Sequence, residues 1–421
     1  MQDLLNDNWV VKGNGISDFK RELTAFDART IYRVCQLDEI ELLSVIPMTE
    51  YEIMNKHFDL EEGQDLVFRL NNKNAKELNL KPYLINFENA FLSNDFKSER
   101  IKETRKMGLC LFVNKRPESI TAWGLLDLAQ RTGVCCDKIY DISSNRTRWL
   151  AQNLSAQNCT IVVRTDGKNK KVFAVRGKNY KGVPQMSYVP QVLEFLEGLL
   201  GESTLEFCIS NELTEVMMKF TEKGKEIRDT YPELPTDVEP IVYIENSDTG
   251  KYALNVKAGF NIGRHILSAR GATKDKHDKG FNLEKVLANA KKTIFKEYKE
   301  IPEQLIRLLG IKITDAERAI DEAVRYSEIE KKSGFKKISA VFKEAMKQSL
   351  SLGTYTAYDL FNTALDVAEN LKISTAKMEI KDIPEITRKQ FSECVQKILY
   401  CPFECEQESD DEFLYIPSET A

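Results

Sequence analysis

Residues 241–270, IVYIENSDTGKYALNVKAGFNIGRHILSAR, contain two strand-like runs joined at a turn. Tyr252, Leu254, Val256 and Ala258 alternate with Lys251, Asn255 and Lys257, the period of two that places successive side chains on opposite faces of a strand. Between the runs, Asn246, Ser247, Asp248, Thr249 and Gly250 either bond their own backbone or accept positive φ. The pattern predicts a β-hairpin whose turn places Gly250 in the left-handed region.

A second hairpin is expected upstream. Residues 160–164 are β-branched, Thr165-Asp166-Gly167-Lys168 is a turn sequence, and Val172, Phe173, Ala174 and Val175 return. Ser187 then heads a helix with Pro190 in its first turn, Val192, Phe195, Leu196 and Leu199 on one face, and Gly201 at its end. Residues 204–209 and 216–220 read as further strands, as do 107–113. Ser119 is placed to start a helix carrying Trp123, Leu126 and Gln130, closed by Gly133. The first hundred residues mix short apolar runs at 40–46 and 66–70 with an Asn-rich turn at 71–74.

Beyond Gly280 the period changes to 3.6, with Leu283, Val286, Leu287, Ala290, Ile294, Phe295 and Tyr298 in one stripe. Thr314 and Glu317 form a capping-box pattern, Thr354 precedes a helix carrying Tyr358, Phe361, Leu365, Ala368 and Leu371, and a last helix is expected over 387–399. The expected fold is α+β: a central, largely antiparallel sheet with packed helices, followed by a helical C-terminal region. The expected divisions are a mixed N-terminal region over 1–105, a β-rich core over 106–280, helices over 281–400 and an acidic tail over 401–421.

With 421 residues, 42% apolar and 30% charged, the composition is that of a folded globular chain. Residues 1–11 include Asp3, Asp7 and Trp9 in place of a basic start followed by an apolar run, and no stretch approaches the roughly 20 apolar residues of a membrane span. Nine irregularly spaced cysteines, with Cys135 and Cys136 adjacent, suit reduced thiols. The expectation is a cytoplasmic protein that does not enter a membrane.

Charge is segregated along the chain. Residues 164–181 carry seven basic side chains against Asp166, residues 251–299 twelve against four acidic ones, and residues 404–421 seven acidic and no basic ones. Cations interleaved with Phe173, Tyr180, Tyr252 and Phe260 suit phosphates with stacked, unpaired bases, so nucleic acid, and single strands in particular, is the expected partner. The candidate contacts are Arg164, Lys168, Lys170, Lys171, Arg176, Lys178, Tyr180, Lys251, Lys257, Arg264, Arg270 and Lys274. The acidic end, with Phe413, Leu414, Tyr415 and Ile416, could dock on a partner protein, and a second copy of the chain is a further candidate partner.

Gly259 and Gly263 lack the spacing and the following Lys-Ser or Lys-Thr of a phosphate loop, which argues against nucleotide hydrolysis. His57, His265 and His277 are dispersed, and Asp275-Lys276-His277-Asp278 reads as a solvated loop. Cys394, Cys401 and Cys405 lack a clear fourth ligand. No catalytic residue, metal or cofactor is expected.

Four segments resemble the phage and plasmid family known as domain of unknown function 932. They are ITAWGLLDLAQRTGV from Ile120, VVRTDGKNKKVFAVRGKNYKGVPQMSYVPQVLEFLEGLL from Val162, YIENSDTGKYALNVKAGF from Tyr243 and GTYTAYDLFNTALDVAENL from Gly353. Tyr180, Phe195 and the Leu199-Leu200 pair match the second segment's pattern, and Thr354, Tyr358, Asn362 and Ala364 the last. Where many members carry Cys-x-Asn-Gly, this chain has Arg264-His265-Ile266. The resemblance implies a protein of a mobile element. With the basic segments, the expected function is a non-catalytic accessory protein binding nucleic acid in replication or recombination. The alternative is an inhibitor that occupies a basic site on a host defence enzyme.

Overall fold

The computed structural model describes residues 4–5, 9–45, 64–71, 73, 83–86, 110–113, 116–133, 149–250, 252–268, 273–275, 281–332, 335–350, 355–374, 380–382 and 385–403. The acidic stretch 404–421, Cys135, Cys136, Cys405, His57 and His277 lie outside them. The fold is α+β as expected, with two large sheets and a helical C-terminal region.

Strand β1 (Val10–Asn14) and helix α1 (Ile16–Asp27) precede β2 (Thr30–Gln36), β3 (Glu41–Val45), β4 (Gln64–Leu70), β5 (Tyr83–Asn86), β6 (Cys110–Val113) and β7 (Arg116–Ile120). Helix α2 (Ala122–Arg131) leads to the hairpin β8 (Asn158–Thr165) and β9 (Lys170–Gly177), then α3 (Val189–Leu200). Strands β10 (Ser203–Ser210) and β11 (Thr214–Phe220), helix α4 (Thr221–Thr230), and strands β12 (Val238–Asn246), β13 (Leu254–Ile262), β14 (His265–Ser268) and β15 (Thr273–Asp275) follow.

The first sheet is antiparallel, ordered β1-β10-β11-β12-β13-β14, with β15 also on β13. The second is ordered β2-β8-β9-β7-β6-β3-β4-β5, and its β7–β9 pair is parallel. Strand pairing crosses the boundary expected at residue 105, because β1 joins β10 and β2 joins β8.

The predicted central hairpin is β12–β13, with Tyr243 opposite Lys257 and Glu245 opposite Asn255. Gly250 has φ of 69°, as the turn chemistry requires. Leu254, Val256, Ala258 and Phe260 are all buried. They face the apolar stripe of α5 (Leu283–Gly310), where Phe260 and Tyr298 meet edge to face at 5.6 Å and the Tyr298 hydroxyl donates to the Ile241 carbonyl at 3.0 Å. Helices α6 (Ala316–Ser327), α7 (Lys336–Ser349), α8 (Ala357–Asn370) and α9 (Glu385–Val395) share this core through Ala323, Phe342, Phe361 and Phe391. The second sheet has a smaller core, where Leu125 and Leu128 of α2 cover Ile161, Val163 and Val172.

Helix starts depart from expectation by one or two residues. Thr121, in place of Ser119, caps α2 by accepting from the Gly124 amide, because Ser119 and Ile120 are paired with β9. Asp315, in place of Thr314, caps α6, and α3 begins at Val189, after a turn that holds Ser187. Thr356 and Asp359 make the capping box of α8, while Thr354 lies outside the described residues.

Candidate nucleic-acid interface

Strand β8 is buried on both faces, so the alternation that sends Ile161 and Val163 toward α2 sends Arg164 between the two sheets. Arg164 is 0% exposed. Its two terminal nitrogens donate to the Asp248 carboxylate at 2.5 and 2.6 Å, one of them also to Thr30 Oγ1 at 2.7 Å, and the guanidinium lies 4.3 Å from the centre of the Phe26 ring. Burial pushes the Arg164 pKa down and the Asp248 carboxylate pushes it up, with a net upward shift that keeps the group charged. The Tyr32 hydroxyl donates to Asp248 Oδ2 at 3.3 Å, Tyr180 donates to the Asp248 carbonyl, and Arg176 donates to the Thr249 carbonyl. The hairpin turn is thus clasped by residues of the second sheet.

This placement corrects much of the expected binding surface. Lys171 is buried and donates to the Leu5 carbonyl at 2.9 Å. Lys257 is buried and pairs with Glu245 at 3.0 Å and Glu393 at 3.7 Å. Arg176 pairs with Asp127 at 3.2 Å, and the exposed Arg264 is neutralised by Asp366 at 2.5 Å. Phe173 and Phe260 are core side chains, and the Tyr180 hydroxyl is held in the clasp. Lys168, Lys170 and Lys178 are exposed, but Lys168 and Lys170 lie at one end of the β8–β9 hairpin and Lys178 at the other. Lys274 is on β15, while Lys251 and Arg270 lie outside the described residues.

A different surface gathers cations. Helix α5 runs 28 residues, its N-cap Asn282 accepting from the Lys285 amide at 3.0 Å. Val286, Ala290, Ile294 and Tyr298 bury one side. Lys285, Lys292, Lys296 and Lys299 are spaced by seven, four and three residues, which places them on one stripe of the opposite side, over about 21 Å at 1.5 Å per residue. All four are exposed, as is Lys291. Among the described residues, only Lys296 of these five has a carboxylate partner, Glu300 at 3.5 Å.

Phe295 sits beside the stripe and is 45% exposed, unusual for a side chain of its size. Lys291, Lys292 and Lys299 lie four residues before, three before and four after it, the helical neighbour positions. Lys223 of α4 lies 5.9 Å from the centre of the ring. Sequence reasoning counted the lysines of α5 in the charge of residues 251–299 but assigned that charge to the hairpin. The usable signal was their seven, four and three spacing.

A cleft of about 790 Å³ is lined by Arg325, Tyr326, Lys331 and Lys397 with Glu322 and Glu328. Both of its lysines are already engaged: Lys397 and Lys331 donate to Glu328 at 2.8 and 2.9 Å and hold that carboxyl at about 2. Among the described residues no cluster of His, Cys, Asp or Glu is arranged to hold a metal ion, and no helix is long and apolar enough to cross a membrane.

Fold and surface together define an α+β protein of two clasped sheets, with a lysine-striped helix packed on the first. No family model, curated protein or solved structure matches the chain, so its function is argued from its own residues.

Proposed function

We propose that the protein is a non-catalytic nucleic-acid-binding protein that holds a phosphate backbone along the α5 stripe and stacks Phe295 on an unpaired base. The observation that carries this reading is the exposed Phe295 ring set among Lys291, Lys292 and Lys299 and flanked by Lys223. Lysines neutralise phosphates without reading sequence, and a ring stacks on any base, so binding is sequence-tolerant and favours single strands. A role in replication or recombination of a mobile element, which the sequence resemblance implies, is part of the same proposal.

Titration of labelled single- and double-stranded oligonucleotides at two salt concentrations tests the reading. Five neutralised phosphates give a slope of about −3.5 in log affinity against log salt, a loss on the order of 100-fold between ~50 and ~200 mM. Phe295→Ala is expected to weaken single-strand binding and leave duplex binding nearly unchanged. Absence of binding near ~50 mM salt overturns the reading.

A further inference from the structure

Cys35 of β2 and Cys159 of β8 are directly opposite each other in the register, and their sulfurs are 3.5 Å apart. The amide of Leu37 donates to Gln157 and that of Thr165 to Arg29, so residues 37/157 and 29/165 are hydrogen-bonded pairs. Such pairs recur every second residue, which makes Cys35/Cys159 one of them, with a Cα separation of about 5.5 Å. That lies within the roughly 4.4–6.8 Å that a disulfide spans. Cys159 is buried and Cys35 half-buried at the end of the sheet, where β2 has a neighbour on one side only.

We propose that Cys35 and Cys159 form a redox site, closing a reversible cross-strand disulfide by exchange with a small disulfide such as oxidised glutathione. The Cys35 thiolate attacks one glutathione sulfur, forming a mixed disulfide and expelling one glutathione thiolate. Cys159 then loses its proton and attacks Cys35 Sγ, expelling the second. The protein loses two electrons and two protons, and oxidised glutathione becomes two reduced molecules. The order of attack follows access and acidity: the Cys159 thiol donating to Cys35 lowers the Cys35 pKa, while the same contact and burial push Cys159 up. Closure fixes β2 to β8 at the end of the ladder away from Thr30, which with Tyr32 of the same strand contacts Arg164 and Asp248 in the clasp.

The test is peptide mapping of the full chain after incubation with oxidised glutathione and alkylation of the remaining thiols. The expected product is a reducible peptide pair joining Cys35 to Cys159. In Cys159→Ser the expected product is a glutathione adduct retained at Cys35. If the treated wild-type chain has both cysteines alkylated, keeps a glutathione adduct at Cys35, or links Cys35 to another cysteine, the proposal is overturned.

Discussion

At the residue scale, the Arg164–Asp248 pair decides most. A charge pair removed from water contributes little over an apolar pair of the same shape, yet deleting one member leaves the other charge buried. Arg164→Met is therefore expected to cost roughly 3–5 kcal/mol in urea unfolding. Gly250 is the second such position: a Cβ there would lie 2.8 Å from Tyr180 Cε2 in a backbone with φ of 69°. Gly250→Val is expected to destabilise by more than ~1 kcal/mol, and an unchanged midpoint would mean the turn is built differently. Asp27 governs a pH dependence. Its Oδ2 accepts from the Met186 amide at 2.7 Å, and burial raises its pKa from 3.8 to about 6. Because the folded-state pKa is raised, the fold binds more protons than the unfolded chain between those values, so this contribution to stability is full below about 4 and is lost as pH rises through about 6. Asp27→Asn should stabilise the protein at pH 8, and the gain should vanish near pH 4. A pH-independent difference would contradict this assignment.

At the element scale, α5 supports both the core of the first sheet and the proposed binding stripe. Asn282→Ala removes its cap and should lower stability by about 1 kcal/mol in thermal or urea unfolding, leaving the stripe's charge unchanged. The apolar side of α5 was legible in the sequence because Val286, Ala290, Ile294 and Tyr298 repeat at helical spacing, and β12–β13 was legible because an apolar run and an alternating run flank a turn with one glycine. Caps were displaced where tertiary pairing intervened, as when Ser119 was claimed by the β7–β9 ladder. The site was less legible. Arg164, Lys171 and Lys257 raise a charge count as much as any solvated lysine, and no local pattern reveals that Asp248 or Glu245 will meet them. Phe295 fits the apolar period of α5, so sequence periodicity placed it in the core, whereas the helix turns it outward.

At the scale of the whole molecule, the basic middle of the chain divides into two uses. Cations of the hairpins largely hold the sheets together, and those of α5 face solvent. The clasp joins sheets that are interleaved in sequence, so Arg164→Met should lower the unfolding midpoint reported by Trp9, packed on Phe26 in the first core, and by Trp123, on α2 over the second sheet. The division of cations also separates two candidate surfaces that a total charge cannot. The most direct test measures the salt dependence of single-stranded DNA affinity for three proteins: the wild type, a helix variant with Lys285, Lys292, Lys296 and Lys299→Gln, and a hairpin variant with Lys168, Lys170 and Lys178→Gln. The helix variant is predicted to flatten the slope of log affinity against log salt by about 2.8, and the hairpin variant to leave it as in the wild type. A helix variant with the wild-type slope would contradict the assignment of binding to α5.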